Sequence, residues 1–370
     1  MIDSIFQRSA PEGLESVIRK IEAGERIAPD EALALYEHAP LALLGGLAVQ
    51  VKERKSGRDV FYNRNFHVEP SNICIFNCRF CSYRQPAHSP GAWDRPLEEI
   101  FETCHAYQGR GVTEVHVVGG VHPDHGLDYY VRMIEGIKRE LPDVIVKAFS
   151  AVELHEMIRR AGVSLENGLQ RLKTAGMAAI PGGGAEIFDE EVRQKICPEK
   201  CTTDEWLSLH RTAHRLGISS NATMLYGHIE TQAQRIDHLD RLRRSQDETG
   251  GFNAFIPLKF RRRNNALSEL GETSITDDLR TLALSRIYLD NFPHIKAYWP
   301  MYGKTTTQLA LAFGADDIDG TIDDTTRIYS MAGADDRNPA LTVDEMRRWI
   351  EAAGYRAVER DTFYRPVVTK

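Results

Sequence analysis

The chain has 370 residues and a formal net charge of −7 at pH 7, and 42% of its residues are hydrophobic while 27% are charged. This composition is ordinary for a soluble globular protein, and the length suffices for a large core. The acidic balance gives no electrostatic support for a nucleic-acid partner. No secretory signal is visible at the start, and the longest apolar stretch, 40–51, is too short to span a bilayer. We therefore expect a cytoplasmic protein without a membrane partner, whose six cysteines do not form a disulfide framework.

The first 60 residues are predicted to be a helical extension. Apolar periodicity places helices at roughly 11–24, 29–37 and 39–54, and no strand pattern is visible there. From residue 66 the pattern changes, because short apolar runs alternate with amphipathic segments as far as about residue 322. We expect this second region, 61–322, to form the core of the protein.

Eight apolar runs in the core region are predicted to be strands, at 66–71, 114–120, 144–150, 177–183, 219–227, 254–260, 294–300 and 317–322. Helical patterns lie between them, so the strands are expected to be parallel. The count of eight favours an α/β fold of the (β/α)₈ TIM-like barrel type, and an open doubly wound sheet is the alternative. A helix at 342–354 and a strand at 355–363 are expected to form a C-terminal extension, 323–370, packed on the barrel.

Three cysteines follow the first predicted strand with the spacing C-x3-C-x2-C: Cys74, Cys78 and Cys81. In a barrel, the carboxyl ends of the strands form the face that carries catalytic groups. A structural zinc site normally has four protein ligands, whereas three thiolates suit an iron–sulfur cluster with one open iron. His88 is a possible fourth ligand, but a single histidine in a loop is more often solvated. Three unrelated thiols at this spacing are the least favoured interpretation.

The segment 72–83 resembles the cluster loop of the radical S-adenosylmethionine (SAM) superfamily, whose signature is C-x3-C-x-aromatic-C, with Phe80 as the aromatic residue. The resemblance implies a barrel of the radical SAM type and a [4Fe–4S] cluster held by the three cysteines. It also implies that the open iron binds SAM, and that an electron donor such as a flavodoxin or ferredoxin allows the cluster to generate a 5′-deoxyadenosyl radical.

Other residues near this loop are expected to position SAM. By the same resemblance, Gly119 and Gly120 after the second strand meet the methionine amino group, because a side chain would block close approach of the backbone. Tyr83 is a candidate for the adenine. Ser150 and Glu153 are candidates for the ribose hydroxyls, and a helix cap and a surface acid are the competing interpretations.

The remaining cysteines point less clearly to chemistry. Cys104 lies in an amphipathic helix and is expected in the core. Cys197 and Cys201 form another C-x3-C pair, but a second cluster needs more thiolates than two. We interpret this pair as structural.

Several segments narrow the resemblance to radical SAM enzymes of menaquinone and deazaflavin biosynthesis: PGGGAEIF (181–188), GADDIDGT (314–321) and MAGA (331–334). The cluster loop, with HVEPSNIC and CSYR, resembles the aminodeoxyfutalosine synthase family most. That resemblance implies a transferase of the futalosine pathway. Its adenosyl radical adds to the enol ether of 3-[(1-carboxyvinyl)oxy]benzoate, and aryl migration and decarboxylation then give 6-amino-6-deoxyfutalosine.

A substrate with two carboxylates and a ring needs cationic and aromatic contacts. Lys259, Arg261 and Arg262 follow the sixth predicted strand and could pair with carboxylates. His228, after the fifth, could bind a carboxylate or move a proton. Tyr298 and Trp299, predicted on the seventh strand, could flank a ring, although solvated loops and barrel packing are competing interpretations for all of these residues.

Three other functions remain open from the sequence. The related dehypoxanthine futalosine cyclase would release free 5′-deoxyadenosine, and a component of deazaflavin chromophore synthesis would need a tyrosine-derived substrate. The alternative outside catalysis is an iron–sulfur or zinc protein that acts as an electron carrier or scaffold. A carrier usually holds its cluster with four protein ligands, which disfavours it here.

Overall fold

The computed structural model describes residues 11–322, 328–333 and 340–367. The N-terminal region contains three helices, α1 (Glu15–Ala23), α2 (Pro29–His38) and α3 (Leu41–Ser56), close to the predicted positions. Gly24 ends α1 in the left-handed conformation, with φ of 77°. Pro29 begins α2, and the Glu31 carboxylate accepts the Ala28 amide at its start. These local signals explain why the helices were predictable.

Seven parallel strands form the main sheet in chain order: β2 (Asn65–Val68), β3 (Glu114–Val117), β4 (Ile145–Ala148), β5 (Met177–Ile180), β6 (Ser219–Tyr226), β7 (Phe252–Lys259) and β8 (His294–Ile295). Each strand pairs in parallel with the next, and the sheet curls into a half-barrel of the TIM-like type. The predicted α/β barrel class is therefore confirmed.

Helices cover the outside of the sheet: α4 (Leu97–His105), α5 (Leu127–Glu140), α6 (Ala151–Arg160), α7 (Leu165–Ala175), α8 (Glu190–Ile196), α9 (Thr203–Arg215), α10 (Gln232–Thr249) and α11 (Ile275–Tyr288). Most begin at a Ser, Thr or Asp whose side chain accepts an amide of the first turn. The core lies between the sheet and these helices, and α3 packs along α11.

A second, three-stranded sheet contains β1 (Asp59–Asn63), β9 (Asp317–Gly320) and β10 (Arg356–Glu359), in the order β10-β1-β9. This corrects two expectations. The eighth predicted strand pairs with β1 in this sheet, and a bridge between Lys296 and Asp317 links it to the end of the main sheet. The strand β1 was missed because its short apolar run directly follows a long helix. The division at 1–60, 61–322 and 323–370 stays a prediction, and β1 crosses its first boundary.

The segment after β8 corrects the predicted strand at 294–300. Its ladder ends at Ile295, and Trp299 begins a short helix, α12 (Trp299–Tyr302), with Pro300 in its first turn. The helices that follow are α13 (Lys304–Ala310), a 3₁₀ turn (Leu311–Phe313), α14 (Ile328–Met331) and α15 (Val343–Ala352). The helix α15 and the strand β10 confirm the predicted C-terminal elements. Among the described residues, none of the helices has both the length and the apolar character that a membrane crossing requires.

Candidate active site

A cavity of about 260 Å³ opens at the carboxyl ends of the main-sheet strands. Its wall includes the loop after β2 and residues from β3 to β9, as well as Ile328 and Ala332. Apolar side chains such as Val118, Ile256 and Leu258 line the middle of it. A concave, largely apolar cavity with a few polar groups is the usual form of a small-molecule site.

The three cysteines lie on the loop after β2, and Cys81 among them lines this cavity. They are half-buried and form no disulfide. The loop is closed at its base, because the Gln85 amide donates to the Asn72 carbonyl at 2.8 Å and the Cys74 amide donates to the Gln85 carbonyl at 3.2 Å. The Cys81 amide donates to the Cys78 carbonyl at 3.1 Å, which turns the loop back on itself. One short, pinned segment thus presents all three thiols.

The thiols have surroundings that suit an iron–sulfur cluster. The Val121 amide lies 3.4 Å from the Cys74 sulfur, and the Arg84 amide lies 3.4 Å from the Cys81 sulfur. Amide donors to cysteine sulfur stabilise the negative charge of a bound cluster. Burial raises the pKa of Cys74, so cluster binding there must displace a proton. The donor set therefore fits the predicted [4Fe–4S] cluster, and the assignment of the three ligands stays a prediction.

Gly119 and Gly120 pack against the cysteine loop. A β-carbon on Gly119 would lie 2.8 Å from the Ser71 carbonyl oxygen, and one on Gly120 would lie 2.3 Å from the Ile73 carbonyl oxygen. The two glycines are therefore required by the approach of two backbones, whatever they contact in a bound cofactor. Neither residue lines the cavity in this structure, so the predicted contact with SAM stays a prediction.

Ser150 and Glu153 form a capping box at the start of α6. The Glu153 carboxylate accepts the amide and the hydroxyl of Ser150, each at 2.7 Å, and the Gly119 amide at 3.0 Å. Glu153 is only 4% exposed, so the interpretation as a surface acid is wrong, and burial raises its pKa to about 7. Ser150 lines the cavity and Glu153 lies behind it. The acid links the glycine segment to the helix.

Phe80 and Tyr83 both line the cavity beside Cys81. Tyr83 is buried, donates to the Ser71 carbonyl at 3.3 Å and meets Trp93 edge to face at 5.3 Å. These contacts fix the ring at the cavity wall. That position is compatible with the predicted contact to adenine.

His228 lies outside the cavity wall. Its side chain is fully buried; Nε2 donates to the Leu225 carbonyl at 3.1 Å, and Nδ1 accepts the Ile229 amide at 2.7 Å. The adjacent Glu230 carboxylate accepts the amides of Gly227 and His228. The imidazole thus stabilises the turn after β6 through two hydrogen bonds to the backbone. It does not reach the cavity. Its predicted catalytic role stays a prediction that this placement does not favour.

The three predicted cationic anchors do not all lie in the cavity. Lys259 and Arg261 line the cavity, whereas Arg262 is exposed. Lys259 donates to Asp278 at 2.9 Å and to the Thr273 carbonyl at 2.7 Å. Arg261 donates to the Gly333 carbonyl at 2.8 Å and lies 3.3 Å from Glu272.

Of the two predicted aromatic contacts, one lies in the cavity wall and the other does not. Tyr298 lines the cavity, but the Trp299 indole donates to the Gly320 carbonyl at 2.9 Å and lies outside the wall. Of the anchors considered, Arg261 and Tyr298 are therefore the ones best placed to meet a ligand.

Sequence reasoning missed a charged cavity floor, formed by His116, Lys147, Lys296 and Asp319. Lys147 donates to both carboxylate oxygens of the buried Glu114 at 2.8 Å, and Lys296 contacts Asp319. Burial holds the pKa of His116 well below its usual range, so this imidazole is neutral at pH 7. One sequence signal could have shown this floor. In a barrel strand every second side chain points inward, and the polar residues His116 and Lys147 interrupt otherwise apolar strands at such positions.

A separate group outside the cavity resembles a metal site. The carboxylate of Asp94 lies 3.2 Å from His125 Nε2 and 3.7 Å from His122 Nε2. However, His122 Nδ1 accepts the Asp124 amide at 3.1 Å, which places the imidazole proton on the nitrogen that faces Asp94. We interpret this trio as a cluster of a carboxylate and two stacked imidazoles.

Comparison with known families agrees with the position of the cysteine loop. Residues 68–242 match the radical SAM superfamily model, and residues 249–369 match the CofH/MqnC C-terminal region. The chain is 44% identical to the aminodeoxyfutalosine synthase of Thermus thermophilus, with 95% of each chain covered. It is 40% identical to the enzyme of that name from Streptomyces coelicolor, covering 94% of this chain and 92% of the relative. It is 37% identical to the cyclic dehypoxanthine futalosine synthase of Streptomyces coelicolor, covering 96% and 89%.

Solved structures support the fold. Methylornithine synthase superposes with a TM-score of 0.71 at 18% identity, covering 92% of this chain and 96% of that one. The FeFe-hydrogenase maturase HydG from Carboxydothermus hydrogenoformans gives 0.74 at 19% identity, covering 98% and 83%. With the sequence matches, they set aside the carrier and scaffold alternative. The resemblance seen in the cysteine loop is confirmed, and the chain belongs to the radical SAM superfamily of enzymes.

Proposed function

We propose that this enzyme is an aminodeoxyfutalosine synthase of the futalosine pathway to menaquinone. The observation that carries the proposal is the 44% identity to the Thermus thermophilus enzyme over 95% of both chains, because it spans the cysteine loop, the barrel and the C-terminal region. SAM and 3-[(1-carboxyvinyl)oxy]benzoate are the substrates. The 5′-deoxyadenosyl radical adds to the enol-ether methylene and the aryl group moves from oxygen to carbon. The carboxyl group then leaves as the CO₂ radical anion, which carries the unpaired electron away and leaves closed-shell 6-amino-6-deoxyfutalosine.

In this reaction the cysteine loop provides the cluster site, and the cavity binds SAM and the substrate. Cys74, Cys78 and Cys81 would hold the cluster. When bound and reduced by a donor protein, the cluster would supply the electron that cleaves SAM to methionine and the 5′-deoxyadenosyl radical. Tyr83, from the same loop, lines the cavity where the adenosine of SAM would lie. The loop is tied to β3 through Gly120, whose amide donates to the Ser71 carbonyl at 2.7 Å, so the cofactor site and the cavity keep one fixed geometry.

The cavity wall suits an aromatic dicarboxylate. Val118, Ile256 and Leu258 offer apolar surface to the ring and keep water from a reactive carbon radical. Arg261 at one side and Lys147 with Lys296 at the floor offer cations to the carboxylates. Because each of these cations already has a protein partner, substrate binding must share or replace those partners. A neutral His116 beside Lys147 could donate a hydrogen bond without adding a second full charge.

The related cyclase is the second candidate, because the chain is also 37% identical to the Streptomyces coelicolor cyclic dehypoxanthine futalosine synthase. The two reactions differ in the fate of SAM. The synthase keeps the adenosyl group in its product, whereas the cyclase abstracts hydrogen and releases 5′-deoxyadenosine.

The test uses anaerobic protein with a verified iron and sulfide content, reduced in the presence of SAM and synthetic 3-[(1-carboxyvinyl)oxy]benzoate. Mass spectrometry should detect an adenosylated, decarboxylated product. If 5′-deoxyadenosine accumulates without that product, radical formation stands, the synthase proposal fails, and dehypoxanthine futalosine becomes the next substrate to supply. Intact SAM would contradict the proposed cluster chemistry itself.

A further inference from the structure

The floor of the internal cavity contains an imidazole without a partner. His116 lies on β3 and lines the cavity. In the part of the chain that the structure describes, its ring nitrogens form no hydrogen bond, and its one ring contact is with His67, at 4.5 Å between ring centroids. Polar groups at buried positions normally have a hydrogen-bond partner. His116 is therefore a group whose partner is expected to be a ligand.

Two ammonium groups lie beside this imidazole. Lys147 is the register partner of His116 on the adjacent strand β4, and Lys296 follows β8; both line the cavity. Lys147 donates two of its three N–H groups to the Glu114 carboxylate, at 2.8 Å each, and Lys296 donates to Asp319. Burial lowers the pKa of Lys147, and the charge of Lys296 lowers it further. An anion held between the two ammonium groups would relieve this repulsion.

The carboxylates of the floor lie mostly behind these cations. Glu114 and Asp317 are fully buried and do not line the cavity, whereas Asp319 lines it. Arg360 donates to Asp317 at 2.6 Å and offsets one of the two inner charges. Of the charged floor residues that line the cavity, two are lysines and one is an aspartate. The surface that the floor offers to a ligand is therefore net positive.

The position of Lys296 is fixed by a residue in an uncommon conformation. Asp319 has a left-handed backbone, with φ of 73°, which few residues other than glycine adopt. Its amide donates to Asp317 Oδ1 at 2.6 Å, which holds that conformation, and its carboxylate accepts Lys296. Residues held in such conformations are concentrated at functional sites. Asp319 is thus a positioning residue for Lys296, and the floor is formed before a ligand binds.

The floor and the cysteine loop lie at opposite ends of the cavity. His116 and Lys147 lie within strands, whereas Cys81 is on the loop beyond β2 and Arg261 lies beyond the end of β7. The apolar middle, which includes Val118, separates the two levels. In the proposed reaction the enol-ether methylene meets the adenosyl radical, which forms beside the cysteine loop. The enol carboxylate is on the carbon next to the methylene, so it stays at that end, and the ring carboxylate points to the floor.

We propose that the cavity floor binds the ring carboxylate of the substrate through His116, Lys147 and Lys296, which leaves the enol carboxylate to Arg261. The inference rests on the proposed function and fixes the orientation of the substrate, which that function leaves open. Three N–H donors grouped around one carboxylate also make the floor a determinant of specificity. A substrate without the ring carboxylate would leave these donors unpaired in a buried wall, and sites of this kind reject such analogues strongly.

The first test measures binding without turnover. The probes are 3-methoxybenzoate and its neutral isostere 3-methoxybenzamide, titrated calorimetrically under anaerobic conditions into the unreduced, cluster-loaded protein with SAM. We expect the affinity for the benzoate to exceed that for the amide about tenfold or more, the value of one charge-assisted hydrogen bond. H116F, which leaves every ion pair of the floor in place, and K296M should lose this preference. R262A changes the exposed neighbour of Arg261; it is the control and should keep the preference.

The second test measures kcat/KM for the enol ether and for its analogue without the ring carboxylate, 2-phenoxyprop-2-enoate. The wild-type protein should prefer the dicarboxylate about a hundredfold or more, and H116F and K296M should each reduce that ratio about tenfold or more. R261A should lower kcat/KM for both compounds and keep the ratio, because both carry the enol carboxylate. A purely structural defect would also affect both compounds equally, so the ratio isolates the floor.

Cluster content is measured in each variant, and H116F decides the question if K296M binds too little iron. An unchanged ratio and an unchanged calorimetric preference in H116F would overturn the proposal. Loss of the ratio in R261A alone would also overturn it, because the orientation would then be reversed. If neither enol ether is converted, the synthase proposal fails, and the calorimetric comparison decides the role of the floor by itself.

Discussion

Gly120 packs on the carbonyl of Ile73 so closely that a β-carbon would lie 2.3 Å from the carbonyl oxygen. The end of β3 therefore acts as a template for the cysteine loop, and the loop geometry depends on the absence of one methyl group.

Replacing Gly120 with alanine should displace the cysteine loop. We expect G120A to bind less iron after reconstitution and to lose most SAM cleavage, since the backbone at Ile73 must move. Iron and sulfide analysis with the visible absorption spectrum measures the effect. G271A is the control, because nothing lies within 4 Å of a β-carbon there. Full cluster content in G120A would show that the close contact does not shape the loop.

The buried acid Glu153 should make stability depend on pH. Burial raises its pKa to about 7 in the folded state, above the value near 4.5 of an exposed glutamate. Protonated Glu153 therefore favours folding; this contribution is complete below pH 4.5 and is lost as pH rises through 7, with about 3 kcal/mol as its upper limit. Urea unfolding of the cluster-free protein and of E153Q at pH 5 and pH 8 measures it. The wild-type protein should lose stability relative to E153Q between these values, and a constant difference would show that the carboxyl is charged throughout.

The buried pair of Glu114 and Lys147 should be strongly coupled. Both side chains are almost fully buried, so K147M removes the direct ion-pair partner of the Glu114 carboxylate and should cost about 3–5 kcal/mol of unfolding free energy. The double variant E114Q/K147M should recover much of that loss, which a double-mutant cycle in urea would measure. R241Q breaks the exposed pair with Asp237 and should cost less than about 1 kcal/mol. Similar costs for K147M and R241Q would contradict the view of Lys147 as a required partner.

Each cysteine of the loop should be necessary for cluster binding. C74A, C78A and C81A should each lose SAM cleavage and most of the bound iron. A [4Fe–4S] cluster with one open iron needs a thiolate on each of its other three irons. C104A should keep both, since Cys104 is buried in the core, and C197A should keep both because Cys197, although buried near Cys78, lies outside the predicted ligand set. Iron analysis and liquid chromatography of SAM products provide the readout. A loop variant that kept turnover would remove that residue from the ligand set, and loss of iron in C197A would show that the pair with Cys201 is more than structural.

Arg261 and Arg262 are neighbours in sequence but differ in position, which allows a matched comparison. Arg261 lines the cavity and Arg262 is exposed. If Arg261 binds a substrate carboxylate, R261A should raise KM for the enol ether about tenfold or more, the value of one charge-assisted hydrogen bond. R262A should change KM little. Cluster content and 5′-deoxyadenosyl formation in both variants separate substrate binding from cofactor binding, and equal effects of the two changes would count against the assignment.

The sequence predicted the features that depend on local chemistry. The cysteine spacing carries its meaning within eight residues, and helix ends such as Gly24 and Pro29 are set by neighbouring residues. The order of the seven main-sheet strands also followed from apolar runs separated by helices. These inferences needed no knowledge of which distant segments meet.

The features that depend on distant contacts were not predictable in the same way. The strand β1 is held by β9 and β10, which are roughly 260 and 300 residues away in the chain. A surface position remained the competing interpretation for Glu153, because nothing local shows that the Gly119 amide reaches it. His228 follows a strand at the catalytic face, yet the tight turn at Gly227 directs it to Leu225 and away from the cavity. In each case the burial of a polar group is decided by elements that sequence reasoning cannot place.

The three-stranded sheet also has a consequence for biosynthesis. Its strand β10 and the residues just beyond it complete the barrel floor, since Arg360 pairs with the buried Asp317 and the Thr362 hydroxyl donates to Glu114. During synthesis β1 is made long before either strand that pairs with it, because β9 and β10 follow roughly 260 and 300 residues later in the chain. Closure of the barrel floor is therefore a late folding event that must wait for these long-range contacts, whereas the cysteine loop and β3 come together over a short stretch of chain.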